Sequence, residues 1–291
     1  MVCISTMSIF SVIVTYNPNI SQLKACVASL LPQVERIIIV KNSDERLNDA
    51  DFQNEKIVQT QLDRNYGIAY AQNVGIRRAM ELGAEWMLLS DQDTVFPEQY
   101  ANRFSAKIEN HGAETIYVPV FFNETKKQVE PVSESMSESV CPDGVSPVPL
   151  IHAISSGTVF HKGVFEKIGG MDEKLFIDYV DFEWCWRARF HGIRTLCFPD
   201  IVVSHQLGDS YARFFGKKIT VRSDFRYYYM LRNGIYLGRN CEFISKEERK
   251  ILLRRTLLFA LGIIAIAPKK IKAARLVGRA FSDGRKMGDK K

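Results

Sequence analysis

The chain is 291 residues long, 46% hydrophobic, 25% charged and 11% aromatic, which excludes collagenous, low-complexity and mainly disordered classes. Its formal charge of +6 hides a split: residues 211–291 hold 21 of the 39 Lys/Arg but only 6 of the 33 Asp/Glu, a net of +15 against −9 for residues 1–210. A uniformly basic nucleic-acid binder is thereby excluded, and the length suits one large domain or a domain with an appendage.

Residues 8–15 (SIFSVIVT) form a β-branched apolar run stopped by Tyr16-Asn17-Pro18, which predicts a buried strand ending in a turn. A helix is expected over 21–31 with Ser21 as its N-cap. Residues 35–41 (ERIIIVK) and 56–61 predict two further buried strands. Helical spacing follows over 67–82, with Ala71, Val74, Ala79 and Leu82 on the apolar side and Gly83 at the end. Residues 85–90 (EWMLLS) predict a fourth strand that runs straight into Asp91-Gln92-Asp93. Continuous apolar strands alternating with helices point to a mainly parallel sheet covered on both faces.

Residues 121–150 are polar and rich in Ser and Glu, an excursion loop and not a domain linker, because strand and helix patterns resume after it. Strands are expected at 156–161, 194–198 and 201–204, and helices at 163–168 and 180–190. Everything beyond Tyr211 reads as helical and basic. The six scattered cysteines form no C-x-x-C pair and read as reduced thiols of a cytosolic protein. The first residues lack signal-peptide character, and the longest apolar run, 256–267, is too short to span a bilayer.

In an open parallel sheet, ligands bind beyond the carboxyl ends of the strands. Three polar groups fall at such ends: Thr15-Tyr16-Asn17, Lys41-Asn42-Ser43 and Asp91-Gln92-Asp93. Two carboxylates one residue apart supply hard oxygen ligands for a metal on a diphosphate. The D-x-D spacing alone is weak, since a chain this long shows about one by chance. Asp49-Ala50-Asp51 is such a control, in a polar loop after no strand.

The combination of motifs carries more. VIVTYNP (12–18), NYGIAYAQNVGI (65–76), LLSDQD (88–93), the SSGTVFHKG…FIDYVDFEWCWRAR stretch (155–189) and SHQLGDS (204–210) resemble family 2 glycosyltransferases of the GT-A fold, in the right order over about residues 8–210. FIDYVDFEW and RYYYMLRN (226–233) resemble in particular bacterial rhamnosyltransferases that build O-antigen or related surface polysaccharide. The resemblance implies a GT-A, Rossmann-like α/β catalytic domain over 1–210 and a basic helical region over 211–291.

It also implies a nucleotide-sugar donor, dTDP-L-rhamnose, with Thr15, Tyr16 and Asn17 lining the base pocket and Asn65, Gly67 and Asn73 beside the nucleotide. The family has an aspartate after the second strand, where this chain has Lys41, with Asn42 or Asp44 as the substitute by a local shift. Asp91 and Asp93 would hold Mg²⁺ or Mn²⁺, with Asp91 also towards the ribose, and His205 in its H-x-x-G-x-S pattern is a further metal ligand.

Counting back from Arg187 places the family's Glu-Asp pair on Val180-Asp181, leaving Asp181 as the general base for an inverting displacement. Asp178, three residues earlier, is expected on the same helical face. Trp184 and Trp186 are candidates for an acceptor-sugar platform or for core aromatics. The acceptor implied is a lipid-diphosphate-linked saccharide, and the basic C-terminal helices suit attachment to the inner face of the bacterial membrane or packing on the catalytic core. A cytoplasmic, peripheral enzyme, with a homo-oligomer allowed, is the expectation. A sugar-phosphate nucleotidyltransferase, disfavoured by the glycine-free TYNPNISQLK turn, and a non-catalytic scaffold are the alternatives.

Overall fold

A computed structural model describes residues 7–44, 49–123, 127–142, 144, 146–205, 210–214 and 217–289, with side chains other than those of 49–50, 205–221 and 289. Strand β1 (Ile9–Thr15) is buried along its whole length, as a strand covered on both faces must be. Helix α1 (Ile20–Leu30) follows, then β2 (Arg36–Lys41), β3 (Ile57–Gln61), α2 (Ile68–Glu81) and β4 (Trp86–Asp91). The cap of α1 is Asn19 and not Ser21. Its carboxamide oxygen accepts the N–H groups of Ser21 and Gln22, which an amide two residues before the first free N–H groups can reach.

The second half holds α3 (Tyr100–His111), β5 (Thr115–Asn123), β6 (Gln128–Val129), β7 (Val148–Pro149), β8 (Val159–His161), α4 (Lys162–Ile168), α5 (Val180–Phe190) and β9 (Arg194–His205). Spatial order is β3-β2-β1-β4-β8-β5-β9-β7, with β6 on β5. Pairing is parallel from β3 to β4 and between β5 and β9, and antiparallel at β4–β8, β8–β5 and β9–β7. The two short strands expected at 194–204 are one strand. A shift of register opposite Pro119/Val120 carries it past Pro199.

Alternate residues of the strands feed two cores. Phe10, Val12, Ile38, Val40, Met87 and Leu89 face α2, α4 and α5, whereas Ile9, Ile13, Ile37, Ile39 and Leu88 face α1 and α3. Each such side chain contributes roughly 1.5–3 kcal/mol by leaving water. The chain runs one way from β1 to β2 and the other way from β1 to β4, so a topological switch point lies between β1 and β4.

The C-terminal region departs from an all-helical reading. Strands β10 (Ser210–Phe214) and β11 (Lys217–Val221) pair antiparallel. Helices α6 (Asp224–Asn240), α7 (Lys246–Ile266) and α8 (Lys270–Asp289) follow. Leu237, Cys241, Ile244 and Leu252 join the core beneath α5, while Tyr227, Leu231, Ala260, Ile263, Val277 and Ala280 form a separate cluster among the three helices. No helix among the described residues is long and apolar enough to cross a membrane.

Candidate active site

The switch point brings the strand-end residues together. Val14 pairs with Asp91 and Thr15 with Lys41, so the ends of β2, β1 and β4 share one edge. Thr15 is buried, its hydroxyl on the Val40 carbonyl at 3.4 Å. Tyr16 is 49% exposed, and its backbone is tied to the Gln92 carboxamide by bonds of 2.9 and 3.3 Å. Asn17 is exposed at φ 45°, turning the chain away from the strand. Gln92, the middle residue of the D-x-D, thus couples the turn after β1 to the turn after β4.

Asn42 and Asn65 build the neighbouring loop. The Asn42 amide donates to Asn65 Oδ1 at 3.1 Å and accepts the Tyr66 N–H at 2.9 Å, while Asn65 Oδ1 also takes the Gly67 N–H at 2.9 Å. Gly67 stands at φ 88°, and a Cβ there would lie 2.5 Å from the Phe176 carbonyl oxygen, so glycine is required twice over. Asn73 is a correction. It is buried and does not line the cleft, its amide donating to the Met171 carbonyl and Glu173 and its oxygen accepting the Met171 N–H, so it serves to hold residues 171–173. Lys41 is buried at the end of β2.

A cleft of about 710 Å³ opens beyond this edge, lined among others by Asp91, Gln72, Ser155, Asp178, Asp181 and Arg226. Ser156 takes the Asp91 N–H on its hydroxyl at 3.1 Å and is held by Thr94 at 3.0 Å. Asp93 is exposed two residues further on. Both carboxylates lie close enough to Cys26 to add to the burial that pushes its thiol up to about 12. The oxygen donor set fits a hard divalent cation shared with a diphosphate. Among the described residues no group of three or more His, Cys, Asp or Glu could hold a metal alone, so phosphate and water oxygens would complete the shell. His205 ends β9 opposite Asn123, and its side chain lies outside the described ones.

Three acids flank the start of α5, and their partners separate them. Glu183 is buried and gripped at both oxygens by Arg187, at 3.0 and 2.7 Å. Asp178 is held by the Nε and Nη2 of Arg226. Among the described residues no cation pairs with Asp181. Its oxygens accept the backbone N–H groups of Ser155 at 3.2 Å and of Phe182 at 3.0 Å. Deep in the cleft floor yet partly open to it, Asp181 is raised to about 7, chiefly by desolvation and to a lesser degree by Asp91, against the backbone N–H groups. Asp178 does not share its helical face, because Asp178 and Tyr179 precede the helix with φ of 63° and 66°.

Trp184 and Trp186 are core aromatics. They are 2% and 1% exposed, with indole N–H groups on the Gly169 carbonyl at 3.0 Å and on His152 at 3.3 Å. Aromatics that do line the cleft include Phe121, Tyr179 and Phe182, the last stacked on His152 at 3.9 Å. Sequence reasoning missed Gln72 as a cleft residue. Its Nε2 donates to Ser155 at 3.0 Å, whereas its buried Oε1 has no hydrogen-bond partner among the described residues. Its place beside Asn73 in the AQN tripeptide was the available signal.

A family model described as glycosyl transferase family 2 matches residues 11–169. The chain is also 38% identical over 284 residues to the dTDP-rhamnosyl transferase RfbF of Shigella flexneri, covering 95% of each. The chain belongs to glycosyl transferase family 2. This family 2 chain is rhamnosyltransferase-like, and the nucleotidyltransferase and scaffold alternatives are set aside. Its fold is that of solved GT-A glycosyltransferases. S. aureus TarS 1–349 in complex with UDP-GlcNAc matches at TM-score 0.61 with 15% identity, covering 97% of this chain and 82% of that one. GalNAc-T7 with UDP, GalNAc and Mn²⁺ matches at TM-score 0.60 with 14% identity, covering 86% and 54%.

Proposed function

We propose that this glycosyltransferase is metal-dependent and inverting, and that it moves L-rhamnose from dTDP-L-rhamnose to a lipid-diphosphate-linked saccharide in O-antigen or related surface-polysaccharide synthesis. The observation that carries the reading is the opposition of Asp91 at a strand end and a desolvated Asp181, held by backbone N–H groups, in one cleft. The identity to a dTDP-rhamnosyl transferase over nearly the whole chain supports the donor.

In this reading the Tyr16 ring and the Thr15–Asn17 turn receive the base, on a loop shaped by Asn42, Asn65 and Gly67. Asp91 and Asp93 would hold Mg²⁺ or Mn²⁺, with His205 as a further ligand; when bound, the cation offsets charge on the departing nucleoside diphosphate. Asp181 takes the proton from the acceptor hydroxyl as its oxygen bonds to the anomeric carbon and the bond to the diphosphate breaks on the opposite face, which inverts configuration.

Residues 1–210 would serve as the catalytic domain and 211–291 as a basic region that braces it and attaches to the inner face of the cell membrane. Leu257, Leu258 and Leu261 of α7 are 48%, 57% and 64% exposed on one stripe, next to Arg254, with Ile271 and Lys269, Lys270 and Lys272 beyond. An apolar stripe rimmed by cations suits an anionic lipid surface.

The test is a thermal-shift screen of nucleotide sugars with and without Mg²⁺, followed by transfer assays. Metal-dependent stabilisation strongest with dTDP-L-rhamnose is expected. No metal-dependent binding of any dTDP-sugar would overturn the donor. Another nucleotide sugar is the second reading, favoured by Lys41 standing where the family has an aspartate against the base.

A further inference from the structure

The segment 175–179, directly before the helix that carries Asp181, has a backbone it would not hold alone. Phe176, Asp178 and Tyr179 stand at φ 66°, 63° and 66°, and none is glycine. Side chains of L-residues disfavour this region, so it persists only where the surroundings over-determine it.

Helix α6 supplies those surroundings from a distance of more than fifty residues in sequence. Asn233, fully buried, directs its Nδ2 at three carbonyls of the segment: Leu175 at 2.9 Å, Ile177 at 2.9 Å and Asp178 at 2.8 Å. Two hydrogens serve three acceptors, so at least one bond is shared. The amide cannot flip, because its Oδ1 takes N–H groups of Arg232 at 2.9 and 2.7 Å. Arg232 Nη2 also donates to the carbonyls of Lys174 and Leu175 at 2.7 and 2.9 Å. The Phe176 ring stacks on Tyr229 at 4.9 Å, and the Arg232 guanidinium lies over that tyrosine at 4.4 Å. On the other side, the Ile68 N–H donates to the Phe176 carbonyl at 2.7 Å.

We infer that Asn233 is a positioning residue for transfer: it locks 175–179 in the left-handed backbone that launches α5 and so sets where the Asp181 carboxylate stands in the cleft. The inference rests on Asp181 as the proton acceptor. Neither Asn233 nor Arg232 lines the cleft, so neither touches substrate. The donor-side loop has its own brace in Asn42 and Asn65, and among the described residues it meets the segment where Gly67 and Ile68 pack on Phe176 rather than through a bond from α6. Loosening Asn233 therefore acts on turnover far more than on nucleotide binding, because the Asn42–Asn65 brace still holds the donor-side loop.

The test uses the full chain with Mg²⁺ and dTDP-L-rhamnose, scoring donor hydrolysis, in which water takes the acceptor's place, together with the Kd for dTDP by calorimetry. Asn233→Ala is expected to lower kcat about 10- to 100-fold with the dTDP Kd within about threefold. A kcat within twofold of the parent, or a Kd weakened in the same proportion as kcat, would overturn the inference. If Asn233→Ala does not fold, Arg232→Lys carries the test, since it keeps the charge but loses the fork that orients Asn233. The same split is expected, and parental turnover overturns the inference. Asp181→Asn is run alongside. Retained hydrolysis in Asp181→Asn refutes the base reading itself, whereas an inert Asp181→Asn beside a fully active Asn233→Ala refutes only the positioning role.

Discussion

The Ser155 N–H donates to Asp181 Oδ2 at 3.2 Å, while the neighbouring Ser156 hydroxyl accepts the Asp91 N–H at 3.1 Å. Two consecutive residues therefore hold the main chain at Asp91 and the Asp181 carboxylate in one frame. Both carboxylates sit at the ends of regular elements, which fixes them more tightly than a loop would.

Activity should depend on pH through Asp181. A base acts only when ionised, so kcat/KM rises with pH through its pKa and levels off above it. Burial places that value at about 7, and a cation bound at Asp91 offsets the small part that Asp91 adds. A pH–rate profile should show an acid limb ending at or slightly below 7. A limb near pH 4 would mean that the base is solvated.

The same burial weakens the fold at neutral pH. Folding raises Asp181 from its ordinary value of 3.8 to about 7, so the folded chain binds the proton more tightly than the unfolded one. That contribution is complete below pH 3.8 and lost as pH rises through about 7. At roughly 1.4 kcal/mol per unit the full loss is a few kcal/mol. Asp181→Asn should therefore be more stable than the parent in urea titrations, by a margin larger at pH 8 than at pH 5. An equal margin at both would contradict the desolvation.

Gly67→Ala should cost about 1–3 kcal/mol, from the positive φ and from the clash with Phe176. Thermal unfolding measures the loss. Donor KM should rise as well, because the N–H of residue 67 closes the Asn42–Asn65 network.

Leu257→Glu with Leu261→Glu should abolish sedimentation with anionic liposomes while leaving the fold intact, since both side chains point outward. If lipid binding is unchanged and the pair instead splits an oligomer in solution, the stripe is a contact between copies of this chain.

Much of this was legible because β1, β2 and β4 are continuous apolar runs that end in polar groups. Such runs name the sheet, and their ends name the crevice. The strand β5 was hidden by Pro119 and by the polar stretch after it, and the β10–β11 ladder by a basic composition that says nothing of pairing. Trp184 and Trp186 show the limit for side chains. Helical spacing leaves each free to face core or cleft, and only packing against Gly169 and His152 decides. Asn73 and Asn65 are both amides in one motif, yet one is spent on residues 171–173 and the other on the loop. Asp178 fails the i, i+3 argument because it and Tyr179 are left-handed and precede the helix.

The central claim is that Asp181 accepts the proton of the attacking hydroxyl, and Asp181→Asn tests it most directly. With Mg²⁺ and dTDP-L-rhamnose, kcat for transfer should fall about 10²- to 10⁴-fold while the Kd for dTDP stays within a few-fold. Transfer retained within tenfold of the parent, with dTDP still bound, would contradict the account.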